Sequence, residues 1–241
     1  FITTTKPPET DIGKRLRISV HSPVALHLYD SLGRHTGPIP NPDQSSDLQL
    51  FEEQIPNTYY WQIGEGQYTG ADGATTTTIE LKGLDLGTFA LDIEALDGGI
   101  TGTTTKYQDI PVTAQTIATI QVGENIAPLL KIDIDGDGKI DANITPDGLT
   151  SEDLSGLLKG LVKTLNLSDS KEKKLIKKIE KLEKELQKEH KNERMEKRKT
   201  VYAFEKIIKT IKKYEKRGIL SHNDAEELMA IIEQIKAIVV E

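Results

Sequence analysis

The 241-residue sequence predicts an α+β fold in two modules: an N-terminal antiparallel β-sandwich and a C-terminal antiparallel bundle of about four helices. Three observations carry this prediction. Up to residue 134, short runs alternate apolar with polar residues between glycine-rich turns, the period of half-buried strands. From residue 150 onward, apolar residues recur three and four positions apart, the period of a helix face. Charge divides at the same place: residues 1–150 hold 21 Asp+Glu against 9 Lys+Arg, whereas residues 151–241 hold 17 against 22. The boundaries that follow are a leader at 1–13, a sandwich domain at 14–132, an acidic joint at 133–149 and a helical bundle at 150–241.

Composition limits the function classes. At 36% hydrophobic and 29% charged residues the chain reads as an ordinary globular protein. No apolar run approaches the ~20 residues needed to cross a bilayer. There is no cysteine, which removes disulfides, zinc-thiolate sites and thiol nucleophiles together. The chain opens on Phe1, with no basic segment ahead of an apolar one, and is expected to be a fragment or a processed product.

Strands are expected over 14–20 and 24–30, then at 59–63, 75–81, 88–93, 103–110, 116–122 and 129–134, about eight in all. Between them stand a Ser31-Leu32-Gly33-Arg34 turn, a proline-rich loop over 37–47, a Gly64-Glu65-Gly66 turn and the Asp97-Gly98-Gly99 signal. Threonine at outward positions suits a pleated surface with one wet face. Trp61, beside Tyr59 and Tyr60, is read first as core or edge packing; a sugar- or protein-binding surface of these three is the alternative. The stretches RISVHSPVALHLYDSLGRHTG, EEQIPNTYYWQI and LGTFALDIEAL resemble immunoglobulin-like β-sandwich accessory modules of bacterial and archaeal secreted or surface proteins. That resemblance implies architecture over residues 14–148 and says nothing of activity.

The joint contains Asp133-Ile134-Asp135-Gly136-Asp137-Gly138-Lys139-Ile140-Asp141. Calcium takes about 6–8 oxygen ligands, and a 12-residue loop supplies them from positions 1, 3, 5, 7 and 9 and a carboxylate at 12. Counted from Asp133, the metal ligands expected are Asp133, Asp135, Asp137, the carbonyl of Lys139, and Asp141. Gly138 falls at the sharp turn. The loop resembles those of EF-hands and dockerins, which implies that Ile140 points its side chain into the protein. It departs from them at position 12, which is Ile144; Asp147 or Asn143 is the expected substitute. The strand before the loop excludes a helix-loop-helix sensor, so Ca2+ is expected as a structural staple.

Helices follow from Thr150, a capping residue with Asp153 three positions on. Leu154, Leu157, Leu158, Leu161, Val162 and Leu165 make one apolar face, and Leu175, Ile179, Leu182 and Leu186 make the seam of the next. That seam is a candidate for self-association through the Leu175–Leu186 helix. A turn is placed near Asn192, with one continuous helix as the alternative. Val201 to Tyr214 forms a third helix, closed by Gly218, and Ser221 with Asp224 starts a fourth. The segment RGILSHNDAEEL resembles the last helix-turn-helix of some bacterial surface modules. The lysine-rich face has acidic residues interleaved and lacks stacking aromatics, so no nucleic-acid partner is expected.

Catalytic arrangements are absent. His21, His27, His35, His190 and His222 form no HExxH, no serine sits in GxSxG, and Glu52, Glu53 and Glu65 read as solvated loop acids. The expected function is that of a non-enzymatic C-terminal accessory region of an exported or surface protein. Its partners would be the adjacent domain of the same precursor and a possible protein or glycan.

Overall fold

The computed structural model describes residues 13–21, 23–42, 48–98, 100–123, 128–165, 167–188 and 193–240, except the side chains of 193–196 and 238–240. Strands come first and helices last. The strands are β1 (Lys14–His21), β2 (Val24–Asp30), β3 (His35–Ile39), β4 (Leu50–Glu53), β5 (Tyr59–Ile63) and β6 (Gly66–Asp72). They continue with β7 (Thr77–Gly83), β8 (Gly87–Asp97), β9 (Ile100–Val112), β10 (Ile117–Val122), β11 (Leu130–Asp133) and β12 (Ala142–Ile144). Two antiparallel sheets result, ordered β5-β6-β1-β8-β9 and β12-β11-β10-β7-β2-β3-β4.

Alternation dictates which side chains turn inward. Leu16, Ile18 and Val20 of β1 and Leu26 and Leu28 of β2 are buried, and their neighbours are more exposed. One buried apolar cluster joins the inward residues of both sheets and continues into the helices. Gln67 of β6 ties the sheets together. Its Oε1 accepts from Leu26 N at 2.8 Å and from the Tyr60 hydroxyl at 2.8 Å, while its Nε2 donates to Val24 O. These backbone groups need a partner because β3 pairs with β2 only at Leu28 and Tyr29.

Among the described residues there are twelve strands, where about eight are expected. β3, which starts just after the 31–34 turn and runs into the expected 37–47 loop, is anchored by the Pro38↔Phe51 and Ile39↔Leu50 register with β4; residues 43–47 lie outside the described residues. β6 starts at Gly66, so the expected Gly64-Glu65-Gly66 turn is a tight hairpin running straight into a strand. Short strands, or strands broken by glycine or proline, carry too little periodicity to be read alone.

The helices are α1 (Ser151–Thr164), α2 (Asp169–Leu186), α3 (Glu193–Glu215) and α4 (His222–Val240). α1 opens with the expected capping box: Asp153 N donates to Thr150 Oγ1, and Asp153 Oδ2 accepts from Thr150 N. α3 ends with Gly218 at φ +63°, whose N–H donates to Glu215 O. Each helix packs on the next, α4 returns to α1, and α1 also packs on β12. Ser155 near the start of α1 meets Glu183 near the end of α2, and Tyr214 near the end of α3 meets Lys171 near the start of α2. α2 and α3 are therefore two helices folded back on each other, and the turn itself, near Asn192, lies outside the described residues. Leu175, Ile179 and Leu182, three of the four seam residues, are buried against the chain's own neighbours, and Leu186 is partly buried there. Among the described residues no helix is long and apolar enough to cross a membrane.

Candidate metal centre

The acidic loop is a hairpin connection between β11 and β12, whose register pairs Ile132 with Ala142 and Leu130 with Ile144. Asp133, almost fully buried, organises it. Its Oδ1 accepts from Gly136 N at 2.8 Å and Asp137 N at 3.2 Å, and its Oδ2 accepts from Gly138 N at 2.8 Å. These bonds require the sharp backbone that Gly136 and Gly138 supply at φ +70° and +83°. Asp141 closes the loop, with its Oδ2 accepting from Ile134 N at 3.1 Å and its own N–H donating to Ile132 O at 2.8 Å.

Ligand oxygens of Asp133, Asp135 and Asp141 lie within 4.8 Å of one another. Three hard carboxylates at this spacing fit calcium. Asp137 is turned aside, with Oδ1 accepting from Lys139 N at 2.8 Å and Oδ2 from Lys139 Nζ at 2.9 Å. That contact first, with Lys163 among the further causes, holds the Asp137 carboxyl below its ordinary range. The Asp141 carboxyl is pushed the other way. Burial raises it most, Asp135 and Asp133 add to the rise, and Ile134 N–H and Lys163 oppose it.

Several expectations land elsewhere. Ile140 is 46% exposed and does not enter the protein; the inward apolar position under the loop is filled by the fully buried Ile134. Ile144 is wholly buried in β12 and supplies no side-chain ligand. Asp147 is exposed in the Thr145–Gly148 turn, outside the carboxylate cluster. Asn143 has an exposed side chain, and its N–H donates to Asp153 Oδ1 at 3.1 Å, tying β12 to α1. Tyr60 is 3% exposed and faces Gln67, so of the Tyr59–Tyr60–Trp61 group only Tyr59 and Trp61 keep outward area.

Three residues of α1 complete the site and escape sequence reasoning. Lys163 Nζ lies 3.6 Å from both Asp135 Oδ2 and Asp141 Oδ1, and 3.9 Å from Asp137 Oδ2. Gly156 and Gly160 let the helix touch the loop. A Cβ at Gly156 would stand 1.8 Å from Asp141 O, and one at Gly160 would stand 2.6 Å from Asp141 Oδ2 and from Ile134 Cγ2. Two glycines four apart inside a helix, each costing about 1 kcal/mol against alanine, were the available signal.

Two buried histidines form a second polar cluster. His27 Nδ1 lies 2.9 Å from His35 Nε2, and His35 Nδ1 lies 2.7 Å from Glu52 Oε1. Burial first, then Lys82 and His35, lowers the His27 pKa to about 4. Glu52 is thus a partner of His35, not a free loop acid. No protein-family model, curated protein or solved structure matches the chain.

Proposed function

We propose that this chain is a non-catalytic accessory region of an exported or cell-surface protein, in which a calcium-stabilised joint fixes a β-sandwich against a helical bundle. The observation that carries the reading is the seat of the aspartate loop. Asp133, Asp135 and Asp141 converge at the point where β12 meets α1, and α1 brings two glycines into contact with Asp141 and its surroundings. A cation there offsets the burial that raises the Asp141 carboxyl, a rise to which Asp135 and Asp133 add. Asp133, Asp135 and Asp141 hold the ion, with loop carbonyls, Lys139 O among them, and water completing the shell. The accessory role is supported by the surface-module resemblance of residues 14–148 and by the absence of the catalytic motifs sought in the sequence.

Isothermal titration of the chelator-treated chain with calcium tests the joint. One site per chain is expected, lost in Asp135→Asn and weaker at least tenfold for magnesium. No heat beyond dilution in the wild type contradicts it.

A further inference from the structure

An open groove of about 730 Å3 runs between α2 and α3. Eight lysines line it, six from α2 and its C-terminal end and two from α3, with a single carboxylate, Glu185. In the sequence, acids interrupt these lysines; in space, among the described lining residues, only Glu185 does. Glu183 turns to α1, where it meets Ser155 Oγ and, at 3.0 Å, Lys159 Nζ. Glu185 pairs with Lys188. Among the described residues no carboxylate is paired with Lys174, Lys177 or Lys181. Lys178 Nζ reaches Lys206 O at 3.5 Å, and its amine is held below its ordinary range by burial first, then by Lys206, Lys174 and Lys181. Among the described residues the groove therefore holds more positive charge than its own walls neutralise.

The lysines suggest the shape of the counter-charge. From Lys174 to Lys188 they stand roughly a turn apart, a row about 21 Å long at 1.5 Å per residue. An extended peptide places same-side residues about 6.7 Å apart, a spacing that flexible lysine stems bridge from a 5.4 Å pitch. Among the described lining residues there is no arginine, so these offer phosphate no planar fork, and a lysine ammonium meets a carboxylate as a point charge. Tyr202, 58% exposed, is the one aromatic among the described lining residues, and Lys206 Nζ sits 4.1 Å over one face of its ring; a single remaining ring face can carry one apolar side chain but not a row of stacked bases. The concave shape and the scarcity of exposed apolar side chains argue against a membrane surface.

We propose that the α2–α3 groove is a docking site for an extended acidic polypeptide, whose alternate carboxylates lie along the lysine row while an apolar side chain between them rests on Tyr202 and Ala203.

Fluorescence anisotropy of a labelled peptide of alternating glutamate and leucine, about 12 residues long, tests this on the full chain. Binding is expected to weaken at least tenfold between about 50 and 300 mM salt. It is also expected to fall at least tenfold in Lys178→Glu/Lys181→Glu, while Lys212→Glu/Lys213→Glu, exposed elsewhere, binds as wild type does. Circular dichroism melts confirm that both variants fold; should the groove variant not fold, Lys177→Gln/Lys181→Gln replaces it with at least a threefold loss expected. Absent peptide binding, or equal binding to the groove variants, overturns the proposal. So does tighter binding of oligothymidylate, inorganic polyphosphate or anionic lipid vesicles than of the peptide.

Discussion

The aspartate loop and the lysine groove are both clusters of like charge, and the chain answers them differently. Asp133 is satisfied by three loop N–H groups, Asp137 by Lys139, and the remaining carboxylates face Lys163. The groove keeps one internal carboxylate for eight lysines. The difference tracks burial. Charge at a packed junction must be compensated where it stands, whereas exposed charge is tolerated because water and salt screen it. An internal counter-charge ties the loop into the architecture, whereas the described residues of the groove leave most of its lysines exposed to solvent.

The largest effect expected breaks the junction sterically. Gly156→Val places side-chain atoms where Asp141 O stands and should destabilise the chain by about 3 kcal/mol or more in chemical denaturation. Helix propensity alone gives the opposite sign, since valine is a better helix former than glycine. A neutral or stabilised variant would show that α1 does not press on the loop.

The buried histidines sharpen the comparison, because their compensation depends on pH. His27 is neutral in the fold down to about pH 4 but protonates near the ordinary histidine value of 6.5 when unfolded. Between these values the unfolded state binds the extra proton, so stability is present above pH 6.5 and lost as pH falls toward 4. About 2 kcal/mol is expected after screening, and His27→Gln should flatten that limb of the pH–stability curve. An unchanged curve in the variant would assign the loss to other groups.

Removing the internal cation has a smaller effect. Lys163→Met should destabilise the chelator-treated chain by about 1 kcal/mol and tighten calcium binding severalfold, because the ammonium no longer competes for Asp135 and Asp141. Weaker calcium binding in this variant would make Lys163 a support of the site instead. The smallest change concerns the groove: Lys178→Met should stabilise the fold by a few tenths of a kcal/mol, by removing a partly desolvated charge from like neighbours. A measurable loss would mean that groove charge is already answered within the chain.

Much of this was legible in the sequence, for physical reasons that also explain the rest. Long alternating strands such as β1 and β2, and helix faces such as Leu175-Ile179-Leu182, announce themselves through period. The capping box at Thr150 and the stop at Gly218 are local chemistry and fall where expected. The convergence of Asp133, Asp135 and Asp141 follows from loop spacing alone. What was not legible is tertiary. Nothing near Lys163 in the chain shows that it will reach a loop more than twenty residues back. Ile140 sits at a position that the EF-hand resemblance turns inward, yet here it is exposed and the buried apolar residue of the loop is Ile134, just after β11. The acids interleaved through 171–188 suggest a mixed face until α1 draws Glu183 away from the lysines.

Thermal unfolding of the full chain with calcium and with chelator tests the central claim most directly. A midpoint raised by about 5 °C or more in saturating calcium is expected, with the shift abolished in Asp133→Asn/Asp141→Asn. Superimposable wild-type melts in calcium and in chelator would contradict it.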